Sequence, residues 1–87
     1  MIKLKKKGEY FREPNESAED RKVIVTAYSV NVRDFPGLNN EILGAVVSDT
    51  ELEYRNTAAD SDGVDWYGVD FNGKLGWICS KYSRLVE

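Results

Sequence analysis

The sequence predicts a single small all-β domain. With 87 residues, the chain has room for one hydrophobic core, because a chain of this size buries only about 60–65% of the surface that it exposes when unfolded. From residue 22 onward, short runs of β-branched and aromatic residues alternate with Gly, Pro, Asn, Asp and Ser, as is typical of strands joined by turns. No segment shows helical spacing over enough residues to compete.

Residues 1–21 are predicted to be a polar leader or linker, and residues 22–87 the domain. The leader begins with a run of lysines and continues as a polar, acidic stretch that contains Pro14. The charged start is similar to that of a signal peptide, but no apolar stretch follows, so no signal peptide is predicted. The alternation at residues 2–5 would let part of the leader pair with an edge strand.

Six short strands are predicted within the domain, at residues 23–28, 42–47, 51–56, 66–71, 74–79 and 84–86. A single tight turn is expected at residues 80–82, before the last strand. Two connecting segments, residues 31–40 and 57–65, exceed the length of ordinary hairpin loops, which makes them candidate functional loops.

The pair Asn72-Gly73 fixes the register of one hairpin, because both residues accept the positive φ angles of a two-residue type I′ turn. One face of this hairpin then pairs Phe71 with Lys74, Val69 with Gly76, and Tyr67 with Ile78. The other face pairs Asp70 with Leu75, Gly68 with Trp77, and Trp66 with Cys79.

This register makes Trp66 and Trp77 diagonal neighbours on one face, with Gly68 leaving space beside the Trp77 ring. Two interpretations stay open. The two indoles either form a stacking platform for a ligand, or cover an open end of the fold and pack against the leader, since Trp is highly buried on average.

Ordered motifs extend from about residue 23 to residue 86: Val30-Asn31-Val32-Arg33, Phe35-Pro36-Gly37, Ile42-Leu43-Gly44, Trp66-Tyr67-Gly68-Val69, the segment 72–78, and Ser80-Lys81-Tyr82. In this set the chain resembles the bacterial SH3 family (SH3b, type 3). The resemblance implies a small SH3-like β-barrel of about five to six short antiparallel strands. The family usually has Leu at Val30, a small residue at Phe35 and Gly at Asp49-Thr50. The first-loop motif of eukaryotic SH3 domains is missing, so recognition of proline-rich peptides is not implied.

The resemblance implies a non-catalytic module that targets peptidoglycan or an associated wall polymer. It would be the cell-wall-binding domain of a lytic enzyme, such as a phage endolysin, beside a separate catalytic domain, and would act in the cell wall after secretion or lysis. The alternative is an intracellular module that holds a protein or peptide on the same barrel. The start of the chain, which lacks an export signal, favours this alternative slightly.

Composition argues against several other functions. The chain has no histidine, which removes the usual activation of serine and cysteine nucleophiles, and a carboxylate pair would need a cleft between two rigidly held carboxyls. We therefore predict no catalytic residues and no cofactor.

The net charge of −3 argues against a nucleic-acid partner, and no apolar run approaches the roughly 20 residues of a membrane span. An exposed Trp and a polar leader would permit a homodimer.

Candidate ligand contacts are predicted at Arg33, Phe35, Tyr54, Trp66, Trp77 and Tyr82. Arg33 either donates a bidentate hydrogen bond to a ligand carboxylate or braces its loop. Phe35, held extended before a proline, is either a loop tip that contacts ligand or a plug at the edge of the barrel. Tyr54 shares a side of its strand with Leu52, which favours burial.

Tyr82 either closes the groove beside Trp66 or packs beneath its turn. Three aspartates, Asp60, Asp62 and Asp65, lie in one loop. The full pattern of a calcium-binding loop, with its distant glutamate, is absent, and no metal ligands are predicted.

Overall fold

The computed structural model describes residues 21–86. Except for Arg21, the predicted leader lies outside the described residues, and the division into leader and domain stays a prediction. Within residues 21–86, no helix has the length and apolar character needed to cross a membrane.

Within residues 21–86, seven antiparallel strands form one sheet. They are β1 (Lys22–Val25), β2 (Ser29–Arg33), β3 (Ile42–Val47), β4 (Glu51–Ala59), β5 (Asp65–Phe71), β6 (Lys74–Cys79) and β7 (Ser83–Val86). The predicted single turn is a 3₁₀ helix at Ser80–Tyr82. The strand order is β3-β2-β6-β5-β4-β1-β7, which confirms the predicted all-β, SH3-like fold.

The sheet is not closed into a barrel, and this corrects one part of the prediction. β3 and β7 lie at opposite ends of the strand order and do not pair. The turn after β3 nevertheless bonds to the end of β1, because the amide of Asp49 donates to the carbonyl of Val25 at 2.8 Å and the amide of Val25 donates to the carbonyl of Thr50 at 3.0 Å. The sheet therefore curls so that distant strands enclose a common core.

Alternating apolar side chains from both halves of the sheet build this core. Its buried members are Val23, Val25, Val30, Val32, Tyr54, Val69 and Ile78, and Tyr67 packs against them. Residues 67, 69 and 78, which share one face of the predicted hairpin, all lie in or against this core. Burying one such aliphatic side chain contributes about 1.5–3 kcal/mol, so this cluster is the main stabilising feature of the described fold.

Three strands differ from the prediction by more than one residue. β1 ends three residues before its predicted end at residue 28. β2 was not predicted, and part of it was assigned to a loop, although Val30 and Val32 are buried and their neighbours point outward. β4 continues to Ala59, beyond the predicted end at Asn56, because a β-bulge between Tyr54 and Asn56 lets the strand keep pairing with β5.

The hairpin of β5 and β6 has the predicted register in every pair. Asn72 and Gly73 have φ angles of 54° and 86°, as the type I′ turn requires. β1 also pairs with β7, so that Lys22 lies opposite Val86.

Candidate functional site

A groove of about 420 Å³ opens on one side of the molecule. Its walls come from the segment between β1 and β2, from β2 itself, from the first part of β5, from the end of β6 and from the 3₁₀ turn. Large side chains dominate its lining: Tyr28, Leu38, Trp66 and Tyr82. Chain segments that are distant in sequence therefore meet at one mainly apolar surface.

Trp66 lies at the base of the groove with only 2% of its surface exposed. Its ring packs in a second apolar cluster with Trp77 and Cys79, outside the main core. The indole nitrogen donates a hydrogen bond to Oδ2 of Asp60 at 2.9 Å. A buried indole with a satisfied N–H has a fixed orientation, so the base of the groove is rigid.

Asp60 organises the loop between β4 and β5. Its Oδ1 accepts hydrogen bonds from the amides of Asp62, at 2.9 Å, and Val64, at 3.0 Å. The Trp66 indole, followed by the amide of Val64, holds the pKa of the Asp60 carboxyl below its ordinary value, since hydrogen bonds to the charged form favour ionisation.

Arg33 braces the loop between β2 and β3, residues 34–41. Its Nη1 donates to the carbonyls of Leu38 and Asn40, both at 2.9 Å. The side-chain Nδ2 of Asn40 donates in turn to the carbonyl of Pro36 at 2.9 Å. Of the two roles predicted for Arg33, the structure shows the bracing one, and this brace positions Leu38 at the groove.

Tyr28 and Tyr82 form the open rim of the groove, with 90% and 47% of their surfaces exposed. The amides of Thr26 and Ala27 both donate to the carbonyl of Tyr82, at 3.0 and 3.3 Å. These bonds hold the segment before β2 beside the 3₁₀ turn. Both aromatic rings are therefore available to a ligand.

Three of the six predicted site residues meet at this groove: Arg33, Trp66 and Tyr82. Sequence reasoning missed Tyr28 and Leu38. The available signal for Tyr28 is an aromatic residue two positions before the motif that begins at Val30, but the predicted first strand includes this residue.

The other three predicted residues lie outside the groove. Phe35 is 64% exposed on the loop at residues 34–41. Tyr54 is buried in the core, where its hydroxyl lies 2.8 Å from Oγ1 of Thr57 and its ring meets Tyr67 edge-on. Trp77 is buried beside Trp66, and its Cη2 would lie 3.1 Å from a Cβ at Gly68, as the predicted gap beside that ring requires.

The lining of the groove is mainly apolar and aromatic. Its lining, drawn from residues 21–86, includes no carboxylate, and its one cation, Arg33, is engaged with the loop backbone. Its thiol, Cys79, is buried and unpaired. Across the part of the chain that the structure describes, no three potential metal-ligating side chains converge.

A family model described as bacterial SH3 domain matches residues 29–84. The match covers more than half of the chain and extends from the start of β2 into β7. It includes Leu38, Trp66 and Tyr82 but begins directly after Tyr28. No curated protein matches the sequence.

Proposed function

Because this chain belongs to the bacterial SH3 domain family, we propose that it is a non-catalytic module that targets the bacterial cell wall. Members of this family are binding domains, and they often serve as cell-wall-binding modules. The ligand in this proposal is peptidoglycan or an associated wall polymer, held in the groove of Tyr28, Trp66 and Tyr82. The module would serve a longer lytic enzyme, such as an endolysin, after secretion or lysis.

One observation carries the proposal. Two exposed tyrosines lie at the rim of the groove, and a buried, hydrogen-bonded tryptophan forms its base. Tyr28 and Tyr82 offer flat apolar faces and hydroxyl groups to sugar rings or peptide units. The Trp66 indole is held by its hydrogen bond to Asp60, and Leu38 is positioned by the bond from Arg33 to its carbonyl. A site that is ordered before binding loses little conformational entropy when the ligand arrives.

The test is sedimentation of a fluorescent fusion of the full chain with purified Gram-positive sacculi. We expect the wild type to pellet and a Tyr82→Ala variant to pellet less. Phe35→Ala is the matched control, because it removes an exposed aromatic ring outside the groove. If the folded wild type stays in the supernatant with sacculi from several species, wall targeting is wrong, and the intracellular protein- or peptide-interaction module takes its place.

A further inference from the structure

A second cleft, polar in character, adjoins the groove. It has a volume of about 400 Å³ and lies between residues 36–40 and residues 60–62. Leu38 lines both the cleft and the groove. The groove and the cleft therefore share Leu38 as a common wall. A single extended ligand that passes over Leu38 would contact both.

The two depressions differ in charge. Asp60 and Asp62 both line the cleft, whereas no Lys or Arg does so among the described residues. The groove, in contrast, has a mainly aromatic and apolar lining without carboxylates. The combined surface is thus apolar at one end and negatively charged at the other.

The negative end combines an engaged carboxylate, Asp60, with an exposed one, Asp62. The amide of Asp60 donates to the carbonyl of Val64 at 2.9 Å, and the amide of Gly63 donates to the carbonyl of Asp60 at 3.0 Å, which closes the loop on itself. Asp62 is exposed, and its carboxylate accepts no hydrogen bond from residues 21–86. The link from Asp60 to Trp66 keeps the Asp60 carboxylate in a set position relative to the groove, and the backbone amide of Asp62 is bonded to that carboxylate.

We propose that the groove and the cleft form one elongated site for a wall peptide that carries a primary ammonium group. The apolar part of the peptide lies against Tyr28, Trp66 and Tyr82, and the ammonium lies in the cleft near Asp62. This inference rests on the proposed function and deepens it. Charge complementarity of this kind selects among ligands of similar shape more than it adds affinity.

The test compares untreated sacculi with sacculi whose free amines have been acetylated, which removes the positive charge and leaves the glycan and the peptide bonds intact. We expect acetylation to weaken binding of the wild-type fusion by about three- to fivefold, as one exposed ion pair allows. Asp62→Asn should weaken binding to untreated sacculi by a similar factor and should be insensitive to acetylation.

Asp70→Asn is the control, since it makes the same chemical change near the other end of β5, outside both depressions. It should behave as the wild type. Soluble wall peptides, freed from glycan by an amidase, should compete for binding, and their acetylated forms should compete less. Competition by glycan strands alone would overturn the assignment to a peptide.

The failures are distinguishable. Equal binding of the wild type to untreated and acetylated sacculi overturns the ammonium site and leaves wall targeting intact. An Asp62→Asn variant that stays sensitive to acetylation overturns the assignment to this cleft. A folded wild type that pellets with neither preparation overturns the proposed function itself.

Discussion

The indole nitrogen of Trp66 and Oδ2 of Asp60 lie 2.9 Å apart, and their hydrogen bond joins the base of the aromatic groove to the loop between β4 and β5. The same carboxylate also receives two backbone amides of that loop. One side chain therefore orders both a binding surface and the loop beside it.

Replacing Asp60 with Ala should lower the melting temperature and alter the tryptophan fluorescence. The substitution leaves the Trp66 N–H and two loop amides without their acceptor, and unmade hydrogen bonds of ordered donors destabilise the native state. Thermal unfolding and emission spectra measure both effects. Asp62→Ala is the control, and equal behaviour of the two variants would show that the Asp60 bonds do not order the loop.

The stability of the wild type should fall in acid partly through Asp60. Hydrogen bonds, above all the one from the Trp66 indole, lower the pKa of the Asp60 carboxyl in the folded state. Its contribution to the free energy of unfolding is therefore present above the pKa of the unfolded state. This contribution is lost as the pH falls through the pKa of the folded state. Urea unfolding between about pH 5 and pH 2 should show the wild-type advantage over Asp60→Ala shrinking below about pH 4. A pH-independent difference would contradict this account.

Gly73→Val should destabilise the domain by about 1–3 kcal/mol, because a β-branched residue would have to adopt a positive φ. The φ at this position is 86°, and an added Cβ would meet no atom within 4 Å, so the cost is conformational. Gly73→Asn should cost less, since Asn tolerates this region better. Chemical denaturation measures both, and a larger loss for Asn would refute the argument.

Tyr28→Ala and Tyr82→Ala should each weaken binding to sacculi by about 1–3 kcal/mol if both rings contact the ligand centrally. Both residues are exposed and lie outside the main core, so the variants should fold, which circular dichroism checks. Phe35→Ala should bind as the wild type. If Phe35→Ala is the variant that loses binding, the site lies on the loop at residues 34–41 and not in the groove.

The hairpin of β5 and β6 could be predicted residue by residue because its turn chemistry is local. Asn72 and Gly73 fix the turn, and the period of two along each strand then assigns every partner. The shared face of Trp66 and Trp77 followed from the same count. Their burial did not, because it depends on what packs over that face.

The groove could be predicted only in part, because it is assembled from segments that are distant in sequence. Tyr28 and Tyr82 line the same groove because backbone bonds join the segment before β2 to the 3₁₀ turn, and no sequence pattern encodes such bonds. The strand β2 was missed for a related reason. Its alternation rests on Val30 and Val32 alone, next to a long loop.

The pairing of β1 with β7 places Lys22 directly opposite Val86. Within residues 21–86, the first and last strands therefore place their outer ends at neighbouring positions. A domain with this geometry can be spliced into a surface loop of a host protein without forcing the flanking segments apart, and its two ends can be joined by a short linker while new termini are opened elsewhere. For engineering, we expect the described fold to accept internal as well as terminal fusion.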